Sequence, residues 1–178
     1  GDDSNDSHEF DRLETSFDTT TNIGLTVAAV SYEDVRTIPI GVAIGGGAFN
    51  GVVSTTVFDS TTEAIIASGV TVNGTNTGAG ANQDVVLTAM GTSNINSTAT
   101  GMAGAASQAV AASLDATIYK KIVRARMLGS ATSLRDFIVT AQSTDRLVQT
   151  VGSLAGSGTD AAAGSVGVAV IGSTVLAE

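Results

Sequence analysis

From residue 22 onward the chain alternates small apolar and polar positions with a period of two. Val110, Ala112, Leu114, Ala116 and Ile118 alternate with Ala111, Ser113, Asp115, Thr117 and Tyr119. Further on, Ala162, Gly164, Val166, Val168 and Val170 alternate with Ala163, Ser165, Gly167, Ala169 and Ile171. Earlier, Phe49, Gly51, Val53, Thr55 and Val57 hold the same register. A period of two puts successive side chains on opposite faces of a strand. The alanine-rich stretch Ala103 to Ala116 also suits a helix, since alanine is the best helix former. Its counterpart Ala155 to Val168 argues for strand: glycines at 156, 158, 164 and 167 would cost a helix about 1 kcal/mol each. Glycine-rich turns precede the strands at Gly45-Gly46-Gly47, Gly104-Ala105-Ala106 and Gly156-Ser157-Gly158. They suit positive φ or close backbone contact.

The alternation is part of a repeat. Asp84-Val85-Val86-Leu87-Thr88-Ala89 returns 52 residues later as Asp136-Phe137-Ile138-Val139-Thr140-Ala141. A divergent earlier copy aligns Ile23-Gly24-Leu25-Thr26 with residues 85–88 at an offset of 62, and Ser54 to Phe58 with Asp115 to Tyr119 at 61. Val57, Ile118 and Val170 mark the hydrophobic centre of each copy. The extra length of the first copy is expected in the turn-forming loop Asn73 to Gly80, where insertions are tolerated. The organisation expected is an arm over residues 1–21 and one β domain over 22–178, divided at 22–83, 84–135 and 136–178. Because all copies share one register, equivalent side chains are expected to stack in columns. Such repeats signal stacked architectures that build surfaces and fibres more often than active sites.

Composition narrows the chemistry. Hydrophobic residues make up 43% but aromatics only 4%, so any core is built from Val, Ala, Ile and Leu. Absence of cysteine excludes disulfides and cysteine-ligated metal. No run of 18 apolar residues occurs, so no helical membrane span is expected. A net charge of −9 argues against non-specific nucleic-acid binding.

Charge is unevenly placed. Residues 1–20 carry seven acids against one arginine, while half of the eight positive charges sit at Lys120, Lys121, Arg124 and Arg126. Phe10, Leu13 and Phe17 would share one face of a short helix in the acidic segment. Together these suggest a subunit contact: the arm of one chain, through Phe10, Leu13 and Phe17, docks beside Lys120, Lys121, Arg124 and Arg126 of the next. On a strand Lys120, Ile122, Arg124 and Arg126 share one face, and Lys121, Val123, Ala125 and Met127 the other. The plain alternative is a charged edge that blocks unwanted pairing.

Other chemistry is sparse. Asp2, Asp3 and Asp6 form an oxygen-rich stretch that suits Ca²⁺, without the Gly and distal Glu of an EF-hand loop; otherwise no cofactor is expected. His8 is the lone histidine and lies in the polar arm, without a rigid relay around it. Glu33 and Asp34 are adjacent acids that would point to opposite faces of a strand; a solvated turn is expected there. Asn73 is the candidate N-glycosylation acceptor, in Asn-Gly-Thr on a loop. Asp84 and Asp136 recur at repeat starts, as strand-initiating turns would require.

The run Ile40-Gly41-Val42-Ala43-Ile44-Gly45, then Gly51-Val52, Asp59, Thr62-Glu63-Ala64-Ile65-Ile66, a Val-x-Asn-Gly loop and Asp84 to Ala89 resembles the repeat unit of leukotoxin-type filamentous adhesins of bacteria. More broadly it is similar to filamentous haemagglutinin-like β-helical exoproteins. The resemblance covers residues 22–178. It implies export, a long right-handed β-helix, and attachment or host contact without catalysis.

The expectation is therefore an all-β chain built as a right-handed β-solenoid, with a β-sandwich subunit completed by strand exchange as the alternative. The expected function is structural and non-enzymatic: an extracellular or cell-surface filament component or filamentous adhesin. Its partners would be copies of itself and a host or cell-surface receptor. Two alternatives are a pilus-like subunit that docks its arm on a neighbour, and a β-helical carbohydrate-active enzyme.

Overall fold

The computed structural model describes residues 23–178, residue 79 excepted. Strand dominates, and the described residues contain no helix. The elements are β1 (Ile23–Thr37), β2 (Ile40–Ile66), β3 (Thr71–Val72), β4 (Gln83–Met127), β5 (Ser130–Ala131), β6 (Phe137–Ser157) and β7 (Asp160–Ala177).

All pairing is parallel. The long β4 is the middle of a five-stranded sheet, with β1 and β2 along one edge and β6 and β7 along the other. β3 and β5 form a small separate ladder between the links. On the β6/β7 side the register is 52 residues throughout, from Val85 against Phe137 to Ala125 against Ala177. The sequence repeat is thus the hydrogen-bond register itself. On the other side Leu25 pairs with Val85, an offset of 60, and Ser54 with Asp115, an offset of 61. The one-residue difference is absorbed by an irregularity between Gly45 and Gly47. The expected offset of 62 at the start is therefore two residues too long. A slip of two preserves which face each side chain takes, so the apolar pattern cannot distinguish the two registers. The longer link of the first copy does lie between Ile66 and Gln83, where Asn73 and Asn76 take positive φ.

Each copy doubles back. Ser60 donates to Glu33 at 2.8 Å and Thr56 to Thr37 at 3.2 Å within the first copy. Lys121 reaches Ser93 at 2.7 Å within the middle one. A Cβ on Gly101 would touch Ser113, and one on Gly167 would touch Gln149. These pairs centre on Gly46–Gly47, on Ser107 and on Gly158, so each copy is two legs that meet through side chains. The glycine-rich segments are the bends. They do not use positive φ; the glycines that do are Gly24, Gly69 and Gly78. Gly158 serves close approach, its missing Cβ leaving room for the Ala106 carbonyl.

The space between the legs is graded. At the bend Ala48, Ala103, Ala109 and Ala111 pack together, since only small side chains fit there. At the open end Val85 and Leu87 pack with Ile66, and Val123 and Ala125 with Ala64 and Ala89. Burying each Val or Leu contributes about 1.5–3 kcal/mol. Between these zones the interior is mostly polar: Ser93, Ser97, Ser113, Asp115, Thr117, Tyr119 and Lys121 are all buried, with Ile95 and Ala99 among them.

The expected columns are present, but the apolar set stands outside. Val57, Ile118 and Val170, the centres of the repeat, face outward with 68%, 47% and 58% exposure. The face is fixed by the base of the legs. Burying Val85, Leu87, Val123 and Ala125 in one parity sends Ile118 out and brings Tyr119 and Lys121 in.

Gly24, at φ 153°, lies against Asp84, and a Cβ there would run into the Asp84 backbone. Gly24→Ala is expected to lower unfolding free energy by about 1–3 kcal/mol in urea titration, with the slope unchanged.

Candidate functional site

The densest polar cluster joins all three copies. Glu33, Ser93 and Asp145 are register partners on one leg; Ser60, Lys121 and Ser173 are register partners on the facing leg. Lys121, in the centre, has no exposed surface. Its ammonium donates to Ser93 Oγ at 2.7 Å and to Asp145 Oδ1 at 3.1 Å, and lies 3.8 Å from Glu33 Oε2. Ser93 Oγ donates to Glu33 Oε2 at 2.9 Å, and Ser60 Oγ to Glu33 Oε1 at 2.8 Å. Asp145 also accepts from Tyr119 at 2.5 Å, from Ser143 at 2.9 Å and from Ser173 at 3.3 Å. One cation of the middle copy thus holds one acid from each neighbour.

Local sequence makes room for it. Gly91 faces Lys121, and a Cβ there would meet Lys121 Cε at 2.6 Å. Tyr119 stacks on Phe58 of the first copy with ring centroids 5.2 Å apart, which walls the cluster on one side. Burial, reinforced by the Asp145 hydrogen bond, raises the Tyr119 phenol far above its usual range, so it stays a donor. Burial pushes the Asp145 carboxyl up, but the hydrogen bonds from Tyr119, Lys121 and Ser143 and the Lys121 charge outweigh it. The net position is below the ordinary value.

A second staple sits at the repeat start. Asp84 is buried and accepts from Arg135 Nε at 2.8 Å, from the other guanidinium nitrogen, and from the Asp136 backbone at 3.2 Å. The hydrogen bond to Asp84 raises the Arg135 guanidinium above its usual value. Asp84 therefore ties the middle copy to the link that opens the third.

The four cations singled out by their spacing separate as strand geometry requires. Lys121 points inward and is closed to any docking arm. Lys120 pairs with Asp59 at 3.6 Å on the outer face, both side chains 60% exposed. Arg126 lies 2.6 Å from Glu178 and 3.9 Å from Glu63; Arg124 shares its face, beside Glu63 in register. Glu33 and Asp34 sit mid-strand in β1, not in a solvated turn: Glu33 faces the cluster, and Asp34 accepts from Asn94 at 3.4 Å on the other face. The Asn73 amide, half-buried, donates to the Thr132 carbonyl at 3.1 Å. Asp2, Asp3, Asp6, His8, Phe10, Leu13 and Phe17 lie outside the described residues. Among the described residues no three acids or histidines gather closely enough to hold a metal by themselves.

Sequence reasoning missed Tyr119, Ser93, Asp145 and Gly91. A signal existed: a lysine placed on the buried parity of a strand needs acids at the same level in adjacent copies, and Glu33 and Asp145 stand there. A cavity of about 120 Å³ adjoins the cluster, lined by Ile95, Tyr119, Asp145, Arg146, Leu147 and Ile171. It is below the size of ordinary small-molecule sites. Comparison with family models, curated proteins and solved structures finds no match to this chain. No helix among the described residues is long and apolar enough to cross a membrane.

Removing Lys121 leaves two facing acids without their cation. Lys121→Met is expected to cost about 3–5 kcal/mol, read as a lower urea midpoint. Asp145 supplies a pH-dependent share of stability. Its folded value lies below its unfolded value near 3.8, so its contribution is present above that value and is lost as pH falls through the folded one. Melting temperature should fall below about pH 4, and the fall should be shallower in Asp145→Asn.

Proposed function

We propose that this chain is a non-catalytic structural component of an extracellular or cell-surface filament, wound as a right-handed β-solenoid. The observation that supports it best is the register: three copies stack in parallel with each residue over its counterpart. Parallel strands joined by crossovers in one sheet are nearly always right-handed. Among the described residues β1 and β2 carry no strand beyond β4, and neither do β6 and β7, so both ends offer a parallel edge. Such edges accept further strands, and a head-to-tail contact that does not close on itself gives a filament.

The columns suit such growth. Leu147 and Ile171 of the third copy would meet Val35 and Phe58 of the next chain, continuing the apolar columns through Ile95 and Tyr119. The Lys121 cluster and the Arg135–Asp84 pair are engaged in holding copies together. If the resemblance to adhesin repeats read from the sequence holds, the rod is exported and serves attachment.

Electron microscopy and fibre diffraction of the purified chain test the proposal. Filaments are expected, with a subunit rise of about 14 Å, three strand spacings of about 4.8 Å each. A chain that remains monomeric at high concentration, or that assembles with a rise unrelated to the strand spacing, overturns it.

A further inference from the structure

Asp115 is a buried carboxylate with no partner. It has no exposed surface, and neither of its oxygens accepts a hydrogen bond. Among the described residues no ion pair reaches it; Lys121 is six residues along the strand, about 20 Å away, and is held by Glu33 and Asp145. An isolated carboxylate in such a place is costly unless something compensates its charge.

Ala99 faces Asp115 across the interior, and three hydroxyls in the same condition lie nearby. Ser54 is its register partner in the first copy, and Thr117 is the next inward residue of its own strand. Ser97 lies across the interior opposite Thr117, given that Ser93 faces Lys121 and Gly101 faces Ser113. Ser54 Oγ, Thr117 Oγ1 and Ser97 Oγ are each buried without a hydrogen-bond partner. In the third copy the register partner is Gly167, which adds no side chain. Into that space Gln149 extends, its amide donating to the carbonyls of Asp115 at 3.0 Å and Val168 at 3.2 Å. Its carbonyl Oε1 would lie 3.0 Å from a Cβ on Gly167.

We propose that Asp115, with the hydroxyls of Ser54, Ser97 and Thr117, forms an internal site for a monovalent cation, sodium or potassium. Hard oxygen donors suit such ions. Oxygens that share an ion at about 2.4 Å stand too far apart to hydrogen-bond one another well, and these four side chains make no such bonds. One carboxylate neutralises one positive charge, whereas a divalent ion would leave a net charge in the interior. The cation lies between the legs and joins the first two copies nearer the bend than the Lys121 cluster, independent of any end-to-end assembly.

Thermal unfolding of the full chain at fixed ionic strength tests the site, with N-methylglucamine exchanged for sodium or potassium. Melting temperature should rise by about 3–6 °C for each tenfold increase in sodium or potassium above the dissociation constant. Asp115→Asn should abolish the dependence. A wild-type chain indifferent to the cation overturns the proposal, as does an Asp115→Asn chain that keeps the full dependence. If Asp115→Asn does not fold, sodium NMR of the wild type decides: line broadening relieved by potassium is expected, and its absence overturns the site. Calcium acting at micromolar levels where sodium needs millimolar overturns the monovalent assignment.

Discussion

A parallel in-register stack places each side chain over its own counterpart, one strand spacing away. Like charges in one column therefore repel at close range, and an unmatched polar group has no neighbour but its column and the facing leg. The chain meets this constraint with a single lysine. Lys121 lies between the levels of Glu33 and Asp145, so the acids of the outer copies share one cation rather than repel across it. Serines at the remaining positions of both columns complete the donors and acceptors.

The same constraint explains the interior. Apolar columns can be stacked without limit, and they occupy the open end of the legs. Alanine columns occupy the bend, where the legs are closest. The cluster around Lys121 is held by specific hydrogen bonds, which resist a slip of register more strongly than aliphatic columns do. Arg135 on Asp84 reinforces the register where the third copy begins.

The outer face carries the opposite character. Phe49, Val53 and Val57 in the first copy continue through Val110, Leu114 and Ile118 into Val166 and Val170. Glycine and alanine columns run between them, at Gly51, Ala112 and Gly164. This gives a ridged apolar surface of the kind that monomeric soluble proteins seldom leave open.

Strand content, the three copies, the offset of 52 and the columns were legible in the sequence, because period two and self-similarity are local properties of the chain. The two faces of the basic strand were legible for the same reason. Which parity is buried was not: the alternation Ile118/Tyr119 is symmetric until a facing leg exists, and the apolar bulk of Val57, Ile118 and Val170 suggested the wrong side. The offset of 60 rather than 62 was hidden because a slip of two leaves the pattern unchanged. Glu33, Lys121 and Asp145 of the cluster lie 24 to 112 positions apart in sequence. Only the doubling-back of each copy, together with the stacking of all three, brings them to one point. What repeats is written along the chain; what faces inward is set by the fold, because burial depends on the leg opposite and not on the residues alongside.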